Sequence, residues 1–123
     1  MSAVPTTATA RTILERLAID EKPWIAYKSP AGHEEIGVFH KAVFDLPGAR
    51  GYVGLFKLEP GAELPTHVHR SFEHHALILE GGCVAGDRYL RAGSYEYVPP
   101  GVEHGIERTG PEGCTLFYVM LRS

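Results

Sequence analysis

Six short apolar runs, each only a few residues long, constrain this chain more than any other feature. They fall at Trp24–Lys28, Ile36–Phe44, Tyr52–Glu59, His74–Glu80, Tyr95–Val98 and Cys114–Leu121. Between them stand SPAG, DLPGARG, EPGAELP, EGG, AGD, RAG, PPG and TGPEG. Glycine reaches positive φ without steric cost and proline fixes φ near that of a turn, so each of these segments reverses or breaks the chain. With 14 Gly and 9 Pro in 123 residues, the spacing predicts an antiparallel sandwich or barrel rather than a helical bundle.

Ahead of Trp24 the pattern changes. Residues 1–8 are small and polar and include Pro5, which reads as an arm. Thr9 can cap a short helix over residues 10–18, with Ile13, Leu14 and Leu17 on one face and Arg11, Glu15 and Arg16 on the other. Pro23 follows its end. The expected organisation is an arm and short helix over 1–23 and one β domain over 24–123. A net charge of −3 argues against a nucleic-acid partner, which would need a basic face for phosphates. No apolar run approaches the ~20 residues that span a bilayer. The N-terminus lacks the basic-then-apolar order of a secretory signal. Two cysteines, Cys83 and Cys114, are too few for a disulfide scaffold, so reduced buried thiols and a cytoplasmic setting are expected.

The histidines carry the chemistry. His67, His69, His74 and His75 fall within nine residues, and His104 follows. On a strand, residues i and i+2 share a face, so His67 and His69 can address one metal ion. Pro65 restrains the approach and Gly61 permits the turn before it. The Pro99-Pro100-Gly101 turn can swing the next strand back so that His104 faces the first pair. His33, beside Gly32, reads as a loop residue, and His40 as a residue of the barrel. Tyr52, Phe56, Phe72, Tyr95, Tyr97, Phe117 and Tyr118 are expected in the core.

Gly61-x5-His67-x-His69-x4-His74-x6-Gly81 resembles the first motif of the cupin superfamily. Gly93-x5-Pro99-x-Gly101-x2-His104 resembles the second, with Arg108 where an Asn is usual. The resemblance implies an all-β fold, a single-domain cupin jelly-roll barrel with a metal site inside, and a homodimer. The run AGSYEYVPPGVEH and the terminal GCTLFYVML are similar to small cupin domains of certain dioxygenases and zinc-binding anti-sigma factors. Only one short helix precedes Trp24, less than a sigma-binding domain requires.

The first motif normally carries a Glu as its third ligand. Counting back from Gly81 puts His74 in that place, and counting forward from His69 with the shorter spacing puts Glu73 there. Adjacent strand residues point to opposite faces, so only one can face inward. His74 is favoured, because the loop at residues 70–72 can change length while the strand-to-turn register is rigid. The ligand set implied is His67, His69, His74 and His104, with Glu73 as the alternative. Imidazole donors suit one divalent transition metal, iron or zinc first and nickel or copper next. Glu73, Glu96 and Glu103 are candidate acceptors for the ligands' remaining ring N–H groups. No phosphate-cradling loop or activated serine accompanies the histidines. The function expected is a metal-dependent enzyme on a small organic substrate, an oxygenase cleaving a diketone- or hydroxyketone-like compound. The alternatives are a zinc Lewis-acid cyclase or isomerase and a non-catalytic ligand-sensing cupin.

Overall fold

The computed structural model describes residues 19–123. The arm and the short helix expected over 10–18 lie outside the described residues. After a 3-10 turn at Ile19–Glu21 come nine strands: β1 (Ile25–Lys28), β2 (Glu34–Leu46), β3 (Gly51–Leu58), β4 (Leu64–His67), β5 (Phe72–Ala85), β6 (Arg88–Arg91), β7 (Tyr95–Val98), β8 (His104–Ile106) and β9 (Arg108–Arg122). Seven form one antiparallel sheet in the order β1-β2-β3-β9-β5-β6, with β7 also paired to β5, while β4 and β8 form a separate two-stranded ribbon. The all-β antiparallel architecture expected from the turn spacing is found, and it is the jelly roll that the cupin resemblance implies. Among the described residues, no helix is long and apolar enough to cross a membrane.

Strand β9 organises the sheet. Its even-numbered residues Cys114, Leu116, Tyr118 and Met120 are all buried, and the odd ones between them are only partly covered. This period of two is what a pleated strand produces when one face packs inward. In register, Leu58, Phe56 and Gly54 of β3 stand opposite Cys114, Leu116 and Tyr118. On the other side Ile78, Ala76 and His74 of β5 stand opposite Leu116, Tyr118 and Met120. The inner face therefore continues across three strands, and Ile106 of the ribbon closes onto it in the same core cluster. Burying each large apolar side chain there contributes roughly 1.5–3 kcal/mol. Cys83 and Cys114 are free and buried in this core, as expected.

The opposite face of β2 and β3 is covered by the chain just before β1. Lys41, only 6% exposed, donates from Nζ to the Ile19 carbonyl at 3.0 Å and lies 4.7 Å from the Trp24 ring centroid. A buried ammonium needs such partners to offset its desolvation. Tyr95 and Tyr97 depart from the sequence expectation. They are 60% and 49% exposed, because β7 turns Glu96 and Val98 inward instead.

Candidate metal centre

The ribbon brings the two histidine segments together. His67 ends β4 and His104 opens β8, and the two are direct register partners. Their ring centroids are 4.4 Å apart. β4 stops at His67, so His69 lies just beyond the strand rather than on it. Its backbone is held by Gly101, whose N–H donates to the His69 carbonyl at 2.9 Å. The Pro-Pro-Gly turn thus braces one histidine while delivering another. One nitrogen from each of His67, His69 and His104 lies within 4.8 Å of the others.

His74 borders this group from β5, with its ring 4.9 Å from that of His104 and 6.0 Å from that of His69. It stands in register between Met120 of β9 and Val98 of β7, both buried. That pairing fixes its side chain on the inner face. Glu73 and His75 take the outer face, where Glu73 accepts a hydrogen bond from His75 Nε2 at 2.8 Å. His75 Nδ1 meets the Tyr95 hydroxyl. Glu73 does not line the cavity that His67, His69, His74 and His104 border together with His40. His33 is exposed in the β1–β2 loop, as expected.

The donor atoms suit a cation. His67 and His104 each engage a backbone carbonyl through Nδ1, that of Pro65 at 2.8 Å and that of Val102 at 3.1 Å. Anchoring Nδ1–H in this way leaves the Nε2 lone pair free, the arrangement a ligating histidine requires. Among the described residues, His104 Nε2 and His74 Nδ1 are buried without a hydrogen-bond partner. Buried polar atoms left unpaired cost about 1–3 kcal/mol each, so two in one cluster point to a missing partner. Clustered neutral imidazole nitrogens fit a divalent transition ion.

Burial lowers the pKa of His67, His69 and His74. His69 falls to about 4, through burial and then the neighbouring His67 and His104. His74 falls to about 3, through burial and then His104 and His69. His67 is lowered by burial, with the Pro65 carbonyl opposing. At neutral pH these rings are uncharged and their lone pairs are available. The His74–Glu96 contact of 3.7 Å is then a neutral ring facing a carboxyl group, not an ion pair.

One expected result follows for protein held in excess chelator. An unfolded histidine takes up its proton near pH 6.5, before folded His74 does. The unfolded state then binds more protons, so stability falls as pH drops below about 6.5 and continues to fall toward pH 3. At pH 5 this amounts to on the order of 2 kcal/mol from His74 alone. Urea midpoints at pH 7 and 5, compared with those of His74→Asn, isolate the contribution. Equal pH dependence in both proteins would show that this ring is not buried in its neutral form.

His67, His69, His74 and His104 line a cavity of about 260 Å³. Its wall is aromatic. Tyr27 packs edge-on to His40 and Phe56, and Phe56 lies tilted against Tyr118. Tyr52, which also lines it, is edge-on to Tyr118. Burial raises the pKa of Tyr27 and Tyr52, and pushes Tyr118 up to about 12. All three phenols stay protonated at neutral pH. Glu96 also borders the cavity, and burial raises its pKa against an opposing effect of His67. The sequence offers no means of assigning Tyr27 to this wall or fixing the facing of Tyr52 and Tyr118, because alternation does not say which parity points inward until partner strands are known.

A family model described as a ChrR cupin-like domain matches residues 16–122. Among solved structures, the chain is similar to the polyketide cyclase RemF from Streptomyces resistomycificus, with TM-score 0.73 and 24% identity over 89% of this chain and 80% of that one. It is similar to a Methylibium petroleiphilum protein described as a candidate acetylacetone dioxygenase, with TM-score 0.71 and 17% identity over 90% and 78%. It is also similar to the anti-sigma factor ChrR of Rhodobacter sphaeroides in complex with SigE, with TM-score 0.64 and 19% identity over 82% of this chain and 50% of that one. At these identities the likeness is one of fold. No match was found among curated proteins.

Proposed function

We propose that this chain, which belongs to the ChrR cupin-like domain family, is a mononuclear metal-dependent enzyme acting on a small oxygenated organic molecule. The first reading is oxidative cleavage of a diketone- or hydroxyketone-like compound. The observation that carries it is the convergence of His67, His69 and His104 on an aromatic-lined cavity. These three would hold one divalent ion, iron or zinc first and nickel or copper next, with His74 as fourth donor in preference to Glu73. The chemistry such an ion would supply is polarisation of a ketone or enolate oxygen and, for a redox-active metal, electron transfer between substrate and O2.

The chain's own residues supply the rest. The aromatic walls exclude water and favour a flat molecule that can lie between rings. The protonated phenols of Tyr27, Tyr52 and Tyr118 can donate hydrogen bonds to substrate oxygens without carrying charge. A cavity of about 260 Å³ lies below the usual range for drug-sized ligands and limits the substrate to a small one.

A second reading, a Lewis-acid cyclase or isomerase, is favoured by the neutral donor set. Four imidazoles bring no negative charge, so a metal held by them would be a stronger Lewis acid toward a carbonyl than one held by three imidazoles and a carboxylate. Protein purified without added metal should carry close to one equivalent of transition metal by elemental analysis. Oxygen uptake with small diketones, flavonols and hydroxyacetophenones should match substrate loss. Turnover of polyketones or keto-sugars under nitrogen would favour the second reading. Tight binding without turnover would replace both with a ligand-sensing role.

A further inference from the structure

We propose that Glu96 is a positioning residue for His74, accepting the proton on Nε2 so that Nδ1 becomes the donor atom turned to the metal. The inference rests on the reading of the histidine cluster as a metal site, and it assigns a role to a carboxylate that the motifs do not contain.

The geometry begins with strand parity. β7 is four residues long, and its burial alternates so that Tyr95 and Tyr97 face out while Glu96 and Val98 face in. β7 pairs with β5 such that Val98 stands opposite His74 and Glu96 opposite Ala76. The carboxylate is therefore one inward step along β7 from the partner of His74. Its Oε1 lies 3.7 Å from His74 Nε2, a small side-chain adjustment from a charge-assisted hydrogen bond.

The two nitrogens of His74 have different surroundings. Nε2 faces the carboxylate, whereas Nδ1 is buried without a partner among the described residues. A neutral imidazole carries one proton, and a carboxylate beside Nε2 holds it there. The lone pair then falls on Nδ1, which makes that atom the metal donor. His67 and His104 show the complementary arrangement, with Nδ1 anchored to backbone carbonyls. Metal-ligating histidines commonly give their second N–H to such an acceptor. Here two acceptors are backbone oxygens and the third is a side chain from another strand. Glu96 also explains how His74 can stand where the cupin motif normally has Glu: the carboxylate returns from β7 behind the ring.

The test has two independent readouts. Long-range 1H–15N spectra of metal-free protein report the tautomer of each histidine. Wild type should show His74 protonated on Nε2, and Glu96→Ala should shift that ring toward the other tautomer while the signals of His33 stay in place. Glu96→Gln keeps an acceptor oxygen of the same shape, so it should hold the tautomer with a displaced Nε2 proton resonance. Should Glu96→Ala fail to fold, that displacement still decides the question. In titrations with Zn2+, Glu96→Ala should bind about 10- to 100-fold more weakly, with Glu96→Gln closer to wild type. A wild-type His74 protonated on Nδ1, or spectra unmoved by either substitution, would overturn the assignment. Failure of wild type to bind metal while its His74 carries the Nε2 proton would overturn the metal site and leave the Glu96–His74 pair standing.

Discussion

Replacing His104 with Ala is expected to reduce metal affinity by about 100-fold or more, because even loss of an outer partner of a ligand costs 10–100-fold. His104 is the only donor from the second motif, and it is the register partner of His67 across the ribbon. Competition with a chromophoric chelator would measure the loss, and elemental analysis of the purified variant should find the ion nearly absent. The effect on folding has the opposite sign. Among the described residues His104 Nε2 is a buried atom without a partner, so its removal relieves a penalty of about 1–3 kcal/mol in the metal-free protein. The cavity left by the ring offsets part of this gain. The metal-free variant should therefore melt close to metal-free wild type. Metal at 100 times Kd should stabilise wild type by about 2.7 kcal/mol and leave the variant unmoved. His33→Ala, in the exposed loop between β1 and β2, serves as the reference and should change neither quantity. A His104→Ala protein that keeps one equivalent at wild-type affinity would remove His104 from the site.

The parts of the site written into local spacing are legible in the sequence. His67, His69 and His104 converge because a turn of Pro99, Pro100 and Gly101 returns the chain over a fixed distance. The count back from Gly81 favours His74 over Glu73 for the inward place, and the register partners of His74, Met120 and Val98, are buried. What depends on partner strands is not legible there. The apolar pattern of β7 suggests buried tyrosines, yet the strand presents Tyr95 and Tyr97 to the outside and turns Glu96 toward the histidines. Hydrophobicity selects the wrong face when the inner surface is a polar site and the outer one carries aromatics. β4, β6 and β8 also escape the apolar-run reading. β4 contains Pro65, β6 is bounded by Arg88 and Arg91, and β8 is only three residues long.

The same contrast separates the motif glycines. Gly61, Gly93 and Gly101 all adopt positive φ, and among the described residues a Cβ at any of them would meet nothing within 4 Å. Alanine there incurs chiefly the left-handed backbone strain of about 1–2 kcal/mol. Gly81 has φ +68°, and its added Cβ would lie 1.9 Å from the Gly113 carbonyl oxygen and 2.7 Å from its carbon. Those are backbone atoms, so no rotamer change relieves the overlap. β5 and β9 must separate at the pair Gly81–Cys114, directly over the buried Cys83 and Cys114. Gly81→Ala is therefore expected to lose on the order of 4 kcal/mol or more, at the extreme of single substitutions. That is a large fraction of the roughly 5–15 kcal/mol by which folded domains are commonly stable. The β5–β9 ladder also sets His74 opposite Met120, so whatever folded protein remains should bind metal poorly. Soluble yield and urea midpoints of Gly81→Ala and Gly61→Ala, measured side by side, would check this. Gly61→Ala should stay within about 2 kcal/mol of wild type, while Gly81→Ala should be largely insoluble or unfolded. Equal losses in the two variants would show that φ alone, and not the close approach of β9, requires glycine at position 81.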